Sequence, residues 1–161
     1  MTTLNRSGFM LDTTVFNNVV DGTVDVGAFN GCRVFVTHVQ RDELVNTCNA
    51  ARRSKLLQRF EIIAPKSLAT EGFVLGISRL DHAKLSENGE LYTRILNSLR
   101  TKDPKRKSMK FGNQERDSLI AETAISNGLA FITNDNNLCE VVREIGGSAI
   151  TLDEFLNRND P

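Results

Sequence analysis

Four carboxylates stand where this chain changes between strand and helix: Asp12, Glu43, Asp117 and Asp135. Asp12 closes the apolar run Phe9-Met10-Leu11, and Asp135 follows Phe131-Ile132-Thr133 by two residues. Glu43 falls in the second turn of a helix opening at Thr37. Asp117 shares a stripe with Ile120, Ala121 and Ala124, at i, i+3, i+4 and i+7. In an open parallel sheet, strand carboxyl ends and helix amino ends meet at one edge, where ligand sites are built. Four separate segments thus direct acids toward one mouth. Two like charges 4 Å apart repel by about 4 kcal/mol at an effective dielectric of ~20, so such a group calls for protonation or a cation. Oxygen ligands select a hard divalent ion, Mg²⁺ or Mn²⁺. Held by carboxylates in an open crevice, such an ion suits phosphodiester hydrolysis.

Each acid also has an ordinary reading. The helix macrodipole favours Asp at a helix start, which applies to Asp12 and Asp117. Glu43 sits beside Asp42 on a helix surface, and Asp135 lies in an Asn-rich turn. The joint pattern, rather than any one residue, carries the metal-site expectation.

The elements that must position these acids follow from periodicity. Gly8 to Leu11 reads as a strand buried on both faces, followed by a helix from Thr14 to Val20 that ends at Asp21-Gly22. Val24 to Phe29 adds a helical turn, and Arg33 to Thr37 is a second strand. Thr37 with Gln40 forms a capping-box pattern, opening one long helix to Leu57 with Leu44, Cys48 and Ala51 on its apolar stripe. Glu61 to Pro65 reads as a third strand stopped by proline. Phe73 to Ile77 is open between strand and buried helix. Glu87 to Arg100 is helical, with Leu91, Ile95 and Leu99 on one face. A helix from Asn113 to Asn127 stops at Gly128. There follow a strand, Leu129 to Thr133, a turn at 134–137, a helix, Leu138 to Ile145, a strand, Ser148 to Thr151, and a terminal turn, Leu152 to Leu156. Alternating strands and helices predict an α/β fold: a Rossmann-like open, mainly parallel sheet with helices on both faces.

A length of 161 residues predicts one domain over 1–161, with an extended helical and basic middle segment at about 67–111. Formal net charge is zero, so any nucleic-acid-binding surface must be local. Cys32, Cys48 and Cys139 are odd in number and show no C-x-x-C spacing, which argues against a disulfide framework and a zinc site. With no apolar signal segment or run of membrane-spanning length, the expected setting is the cytoplasm, with no membrane contact.

Several motifs resemble those of PIN-domain nucleases, the family that includes VapC-type toxins. Leu11-Asp12-Thr13-Thr14-Val15-Phe16 resembles their opening motif, and Glu43-Leu44 matches their second acid. Asp117 to Ala124 resembles their D-x-x-I-A-x-x-A helix, and Phe131 to Leu138 the T-x-D-x-[DN]-[FL] segment with the fourth acid. The resemblance covers roughly residues 8–58 and 112–152. It implies a Rossmann-like sheet, a Mg²⁺/Mn²⁺-dependent endoribonuclease acting on single-stranded RNA, a homodimer, and a toxin neutralised by a small antitoxin that buries the acidic mouth. Asp12, Glu43, Asp117 and Asp135 would be the catalytic and metal-binding residues, Asp12 centrally. Asn137 stands where some members carry a further Asp, and the segment between Glu43 and Asp117 is longer than in compact toxins.

Thr13, Thr14, Thr133 and Asn137 are candidates to hydrogen-bond the acids from behind, with strand-end capping as the alternative for the threonines. Lys105, Arg106, Lys107 and Lys110 form a basic run that would hold RNA phosphates or simply be a solvated loop, and Arg52 is a further candidate. His38 reads as a structural residue rather than a general base. A haloacid-dehalogenase-like phosphatase would need Asp at position 14, where Thr14 stands. A receiver domain would need a mid-chain acid at a strand end, and none stands around Ile62-Ile63. The alternative from another class is a non-catalytic PIN-like module that binds RNA or protein.

Overall fold

The computed structural model describes residues 8–83, 89–104 and 113–158. Five parallel strands form one sheet in the order β3-β2-β1-β4-β5: β1 is Phe9–Leu11, β2 Val34–Val36, β3 Lys66–Ser67, β4 Ala130–Thr133 and β5 Ala149–Thr151. The helices are α1 Thr13–Val20, α2 His38–Val45, α3 Ala50–Ile63, α4 Glu90–Lys102, α5 Asn113–Ser126, α6 Asn136–Glu144 and α7 Leu152–Arg158, with a 3-10 turn at Val26–Phe29. The α/β reading holds.

Alternation along the short strands sorts side chains between two cores. Phe9, Leu11, Val36, Ala130 and Ile132 face one way, onto Phe16 of α1, Phe60 of α3 and Phe155 of α7. Met10, Phe131 and Ala149 face the other way, onto Ile95 of α4, Leu119 and Ile120 of α5, and Val141 of α6. Period-two strands clothed by helices on both sides explain why β1 and β4 read as unbroken apolar runs. At about 25 cal/mol per Å² of apolar surface, a fully buried Phe or Leu stabilises by roughly 1.5–3 kcal/mol.

The expected long helix over Thr37 to Leu57 is instead two helices. Asn46 caps the end of α2, and the Asn49 side chain accepts from the Arg52 N–H at 2.9 Å to start α3. Cys48 and Ala51, expected on a buried stripe, are exposed, while Leu44 is buried. The strand expected at Glu61 to Pro65 is also corrected. Helix α3 runs to Ile63 because Leu56, Phe60 and Ile63 recur at helical spacing and bury together, leaving Ile62 55 % exposed. The third strand comes after the proline, at Lys66–Ser67. Phe73 to Ile77 is neither strand nor buried helix. It is a turn held by the N–H groups of Ile77 and Ser78 on the Val74 carbonyl, with Leu75 90 % exposed.

Helix α4 carries Ile95 and Leu99 inward as expected but begins at Glu90. Among the described residues, no helix is long and apolar enough to cross a membrane.

Gly8 is where the first strand meets its most stringent steric condition. Its φ is +103°, and an added Cβ would lie 2.7 Å from the Arg33 carbonyl and 2.8 Å from the Phe35 ring. Gly8→Ala is therefore expected to cost about 2–3 kcal/mol, read as a lower urea midpoint at unchanged slope.

Candidate functional site

The strand order reverses between β1 and β4: β2 and β3 extend the sheet on one side of β1, β4 and β5 on the other. Crevices at such switch points are the usual ligand sites of open α/β sheets. Asp12 ends β1 there, next to Thr133 at the end of β4, and its N–H donates to the Ile132 carbonyl at 2.9 Å.

Only 3 % exposed, Asp12 caps α1 by accepting from the Thr13 N–H at 2.7 Å. Its Oδ2 accepts from two hydroxyls, Thr14 Oγ1 and Thr133 Oγ1, each at 2.9 Å. Burial pushes the Asp12 carboxyl above its usual range; the bonds from Thr133, Thr14 and the Thr13 backbone pull the other way, and the charge of Asp135 raises it further. Thr133 also braces Asp135, whose N–H donates to Thr133 Oγ1 at 3.0 Å. Asp135 in turn caps α6 by accepting from the Leu138 N–H at 3.1 Å. The sequence placed this acid in a turn, and the structure makes it an N-cap, with Asn137 in the first turn of α6.

Glu43 arrives from α2, its carboxylate accepting a hydrogen bond from the Thr13 hydroxyl. Thr13 thus touches two of the proposed acids, Asp12 through its backbone and Glu43 through its side chain. Helix α2 is seated by Gln40, fully buried, whose Nε2 donates to the Leu11 carbonyl at 3.0 Å while its Oε1 completes the capping box by accepting from the Thr37 N–H at 2.9 Å. The capping box was legible in sequence; the reach of Gln40 to β1 was not.

Asp117 lies on the buried side of α5, 7 % exposed, next to Ser118 and with Ile120 and Ala121 one turn on. Among the described residues, no three His, Cys, Asp or Glu side chains gather closely enough to hold a metal ion. What the structure brings together is Asp12, Thr13, Thr14, Thr133, Glu43 and Asp135. The donor set is all oxygen, which fits a hard divalent cation. The fit rests on that chemistry and on the buried Asp12 charge, not on a finished coordination shell.

The proposed RNA contacts are less informative. Lys105, Arg106, Lys107 and Lys110 lie outside the described residues. Lys102, at the head of that run, is held by Glu140 and Glu144 at 3.0 and 2.9 Å. Arg52 is paired with Asp21 at 2.5 Å and bonds Asn17 at 3.0 Å.

No family model and no curated protein matches the chain. Solved structures do. PAE2754 from Pyrobaculum aerophilum matches with a TM-score of 0.50 at 14 % identity, over 94 % of this chain and 93 % of that one. The likeness is one of fold. VapBC2 from Rickettsia felis, solved on a DNA fragment from its promoter, matches with a TM-score of 0.46 at 16 % identity, over 90 % of this chain and 98 % of that one. VapBC-5 from Mycobacterium tuberculosis, of the VapBC toxin–antitoxin family, matches with a TM-score of 0.43 at 20 % identity, over 90 % of this chain and 97 % of that one.

A carboxyl whose folded value is raised binds a proton more readily folded than unfolded. Stability therefore falls as pH rises from the ordinary aspartate value of 3.8 through the raised folded value, and stays lower above it. Asn caps a helix as well as Asp and carries no charge to desolvate. Asp12→Asn is expected to raise the melting temperature at neutral pH, by on the order of 1 kcal/mol of stability. The gain should shrink toward zero in acid, as followed by thermal denaturation across pH.

Proposed function

We propose that this chain is a Mg²⁺- or Mn²⁺-dependent endoribonuclease of the PIN-domain type, hydrolysing phosphodiester bonds in single-stranded RNA. The observation that carries the reading is Asp12: a carboxylate buried at the switch point of a parallel sheet, beside the charge of Asp135 and bridged through Thr13 to Glu43. Placing that charge out of water is costly unless a cation or a proton offsets it. Asp12, Glu43, Asp117 and Asp135 are the proposed metal ligands. When bound there, a divalent ion would neutralise charge on the scissile phosphate and lower the pKa of the attacking water.

Around it, the chain's own residues orient the acids. Thr14 and Thr133 fix the Asp12 carboxylate from two elements, β4 and α1, and Thr13 holds Glu43 against the α1 start. The toxin role, a small antitoxin covering the mouth, a homodimer and a cytoplasmic setting belong to the same reading, and the four motifs are what support them. A non-catalytic PIN-like module is the second reading, favoured by the lack of a three-residue metal cluster among the described residues.

RNA cleavage separates the two. Wild type should cut single-stranded RNA with Mn²⁺ and stop in EDTA, and Asp12→Asn or Asp117→Asn should lose at least about a hundredfold, as when a transition-state stabilising group is removed. Thr133→Val, which removes one hydroxyl from Asp12, should lose roughly 10–100-fold. Equal cutting by wild type and both Asn variants would sink the acidic site, and calorimetry showing no Mn²⁺ uptake even with RNA present would favour the module.

A further inference from the structure

Helix α5 buries an acid that the candidate site does not use. Glu122 is 2 % exposed, and its Oε2 has no hydrogen-bond partner among the described residues. The stretch 70–72 packs straight onto this carboxyl: a Cβ added at Gly72 would lie 2.6 Å from Glu122 Oε2 and 3.4 Å from Leu119 Cδ2. The Gly72 backbone is not left-handed, so lack of space is what requires glycine here. Neighbouring bonds hold the stretch in place. The Glu71 N–H donates to Thr123 Oγ1 of α5 at 3.2 Å, Asn127 Nδ2 donates to Glu71 Oε1 at 3.2 Å, and the Thr70 N–H donates to the His82 carbonyl at 2.9 Å. Thr70 and Ala83 pair with each other, which closes the stretch 70–83 into a loop.

The groups that face Glu122 only partly offset its charge. Burial acts most strongly and pushes the carboxyl above its usual range. The Tyr92 backbone N–H, in the first turn of α4, opposes that, and the negative charge of Glu71 adds to it. The Tyr92 phenol is neutral, pushed up to about 12 by burial and by the charges of Glu115 and Glu122, against that of Arg100. Arg100 itself is paired with Glu115 at 2.8 Å. Among the described residues, no cation is paired with Glu122. Protonated, the carboxyl sits under Gly72 at small cost. Ionised, it has a bare oxygen that calls for water, and the stretch 70–72 keeps water out.

We propose that Glu122 is a pH-operated latch: its protonated form holds the loop 70–83 down on α5, and its ionised form releases it. The loop carries Arg79, whose guanidinium makes two bonds to Asp42 of α2, at 2.7 and 3.1 Å. Release therefore loosens a contact to the residue next to Glu43. The latch does not depend on the nuclease reading, and its test needs neither RNA nor metal.

Amide hydrogen exchange of the whole chain, followed by NMR over about pH 4 to 8 and corrected for intrinsic rates, tests it. The raised folded value means that the held loop binds the proton more tightly than the released one. Protection of the Thr70 and Glu71 amides should fall as pH rises from the ordinary glutamate value of 4.5 through the raised value, then level off. The fall should reach at most about tenfold per pH unit. Glu122→Gln, neutral at every pH, should remove that fall and exceed wild type in protection at neutral pH. Both amides should exchange well before that of Phe131, which is bonded to the Ser148 carbonyl in the sheet, as a loop does that lifts while the sheet stays folded. The same pH profile in wild type and Glu122→Gln overturns the latch. So does equal protection of Thr70, Glu71 and Phe131, because the loop then opens only when the whole chain unfolds. Should the Gln variant not fold, the Glu122 carboxyl is read directly in wild type by ¹³C NMR. Titration at the ordinary glutamate value, or titration that leaves Thr70 and Glu71 protection unmoved, overturns it as well.

Discussion

A single buried amide sets the geometry on which the rest of this edge depends. Gln40 spans the gap between α2 and β1, one end on the Leu11 carbonyl and the other on the Thr37 N–H. Both groups are buried backbone ends that would otherwise lose a hydrogen bond, so the amide is bound to one orientation. That fixes how α2 sits. With α2 fixed, Glu43 reaches Thr13 on one side and His38 borders a cavity beside β2 and β3 on the other. One hydrogen-bonded side chain therefore positions both faces of α2.

The second constraint is charge in a confined place. Asp12 is the last residue before α1 and is enclosed by β1, β4 and the first turn of the helix. Two hydroxyls and one N–H stabilise its ionised form, and burial with Asp135 opposes them. Burial thus outweighs three hydrogen bonds at this carboxylate. Stability is given up where the charge of Asp135 bears on the buried Asp12.

Legibility in sequence followed the strength of the periodic signal. Phe9–Leu11 and Ala130–Thr133 are apolar on both faces, and α5 carries a long run of buried positions, so these elements were found in place. Residues 37–65 misled for definable reasons. Helix formers run almost continuously there, which hid the break, although Asn46 and Asn49 are cap residues in plain view. Ile62-Ile63 has strand-like composition, but Leu56, Phe60 and Ile63 recur at the period of a helix, and the buried face decided the matter. The stretch 68–83 has no period at all. Its shape comes from Arg79 on Asp42 and from the Thr70–His82 pairing, contacts that no local pattern announces.

The sequence by itself determined the α/β class and the strand-end position of Asp12. These follow from side-chain polarity and spacing along a few residues, which the chain carries locally. Tertiary structure alone decided that β1 and β4 are neighbours, and hence that Thr133 bonds Asp12 across 121 positions of sequence. It alone decided that Thr13 joins Asp12 to Glu43, and that His38 is buried beside a cavity. Such pairings depend on which surfaces bury together, and burial is a property of the whole packed chain rather than of any one stretch.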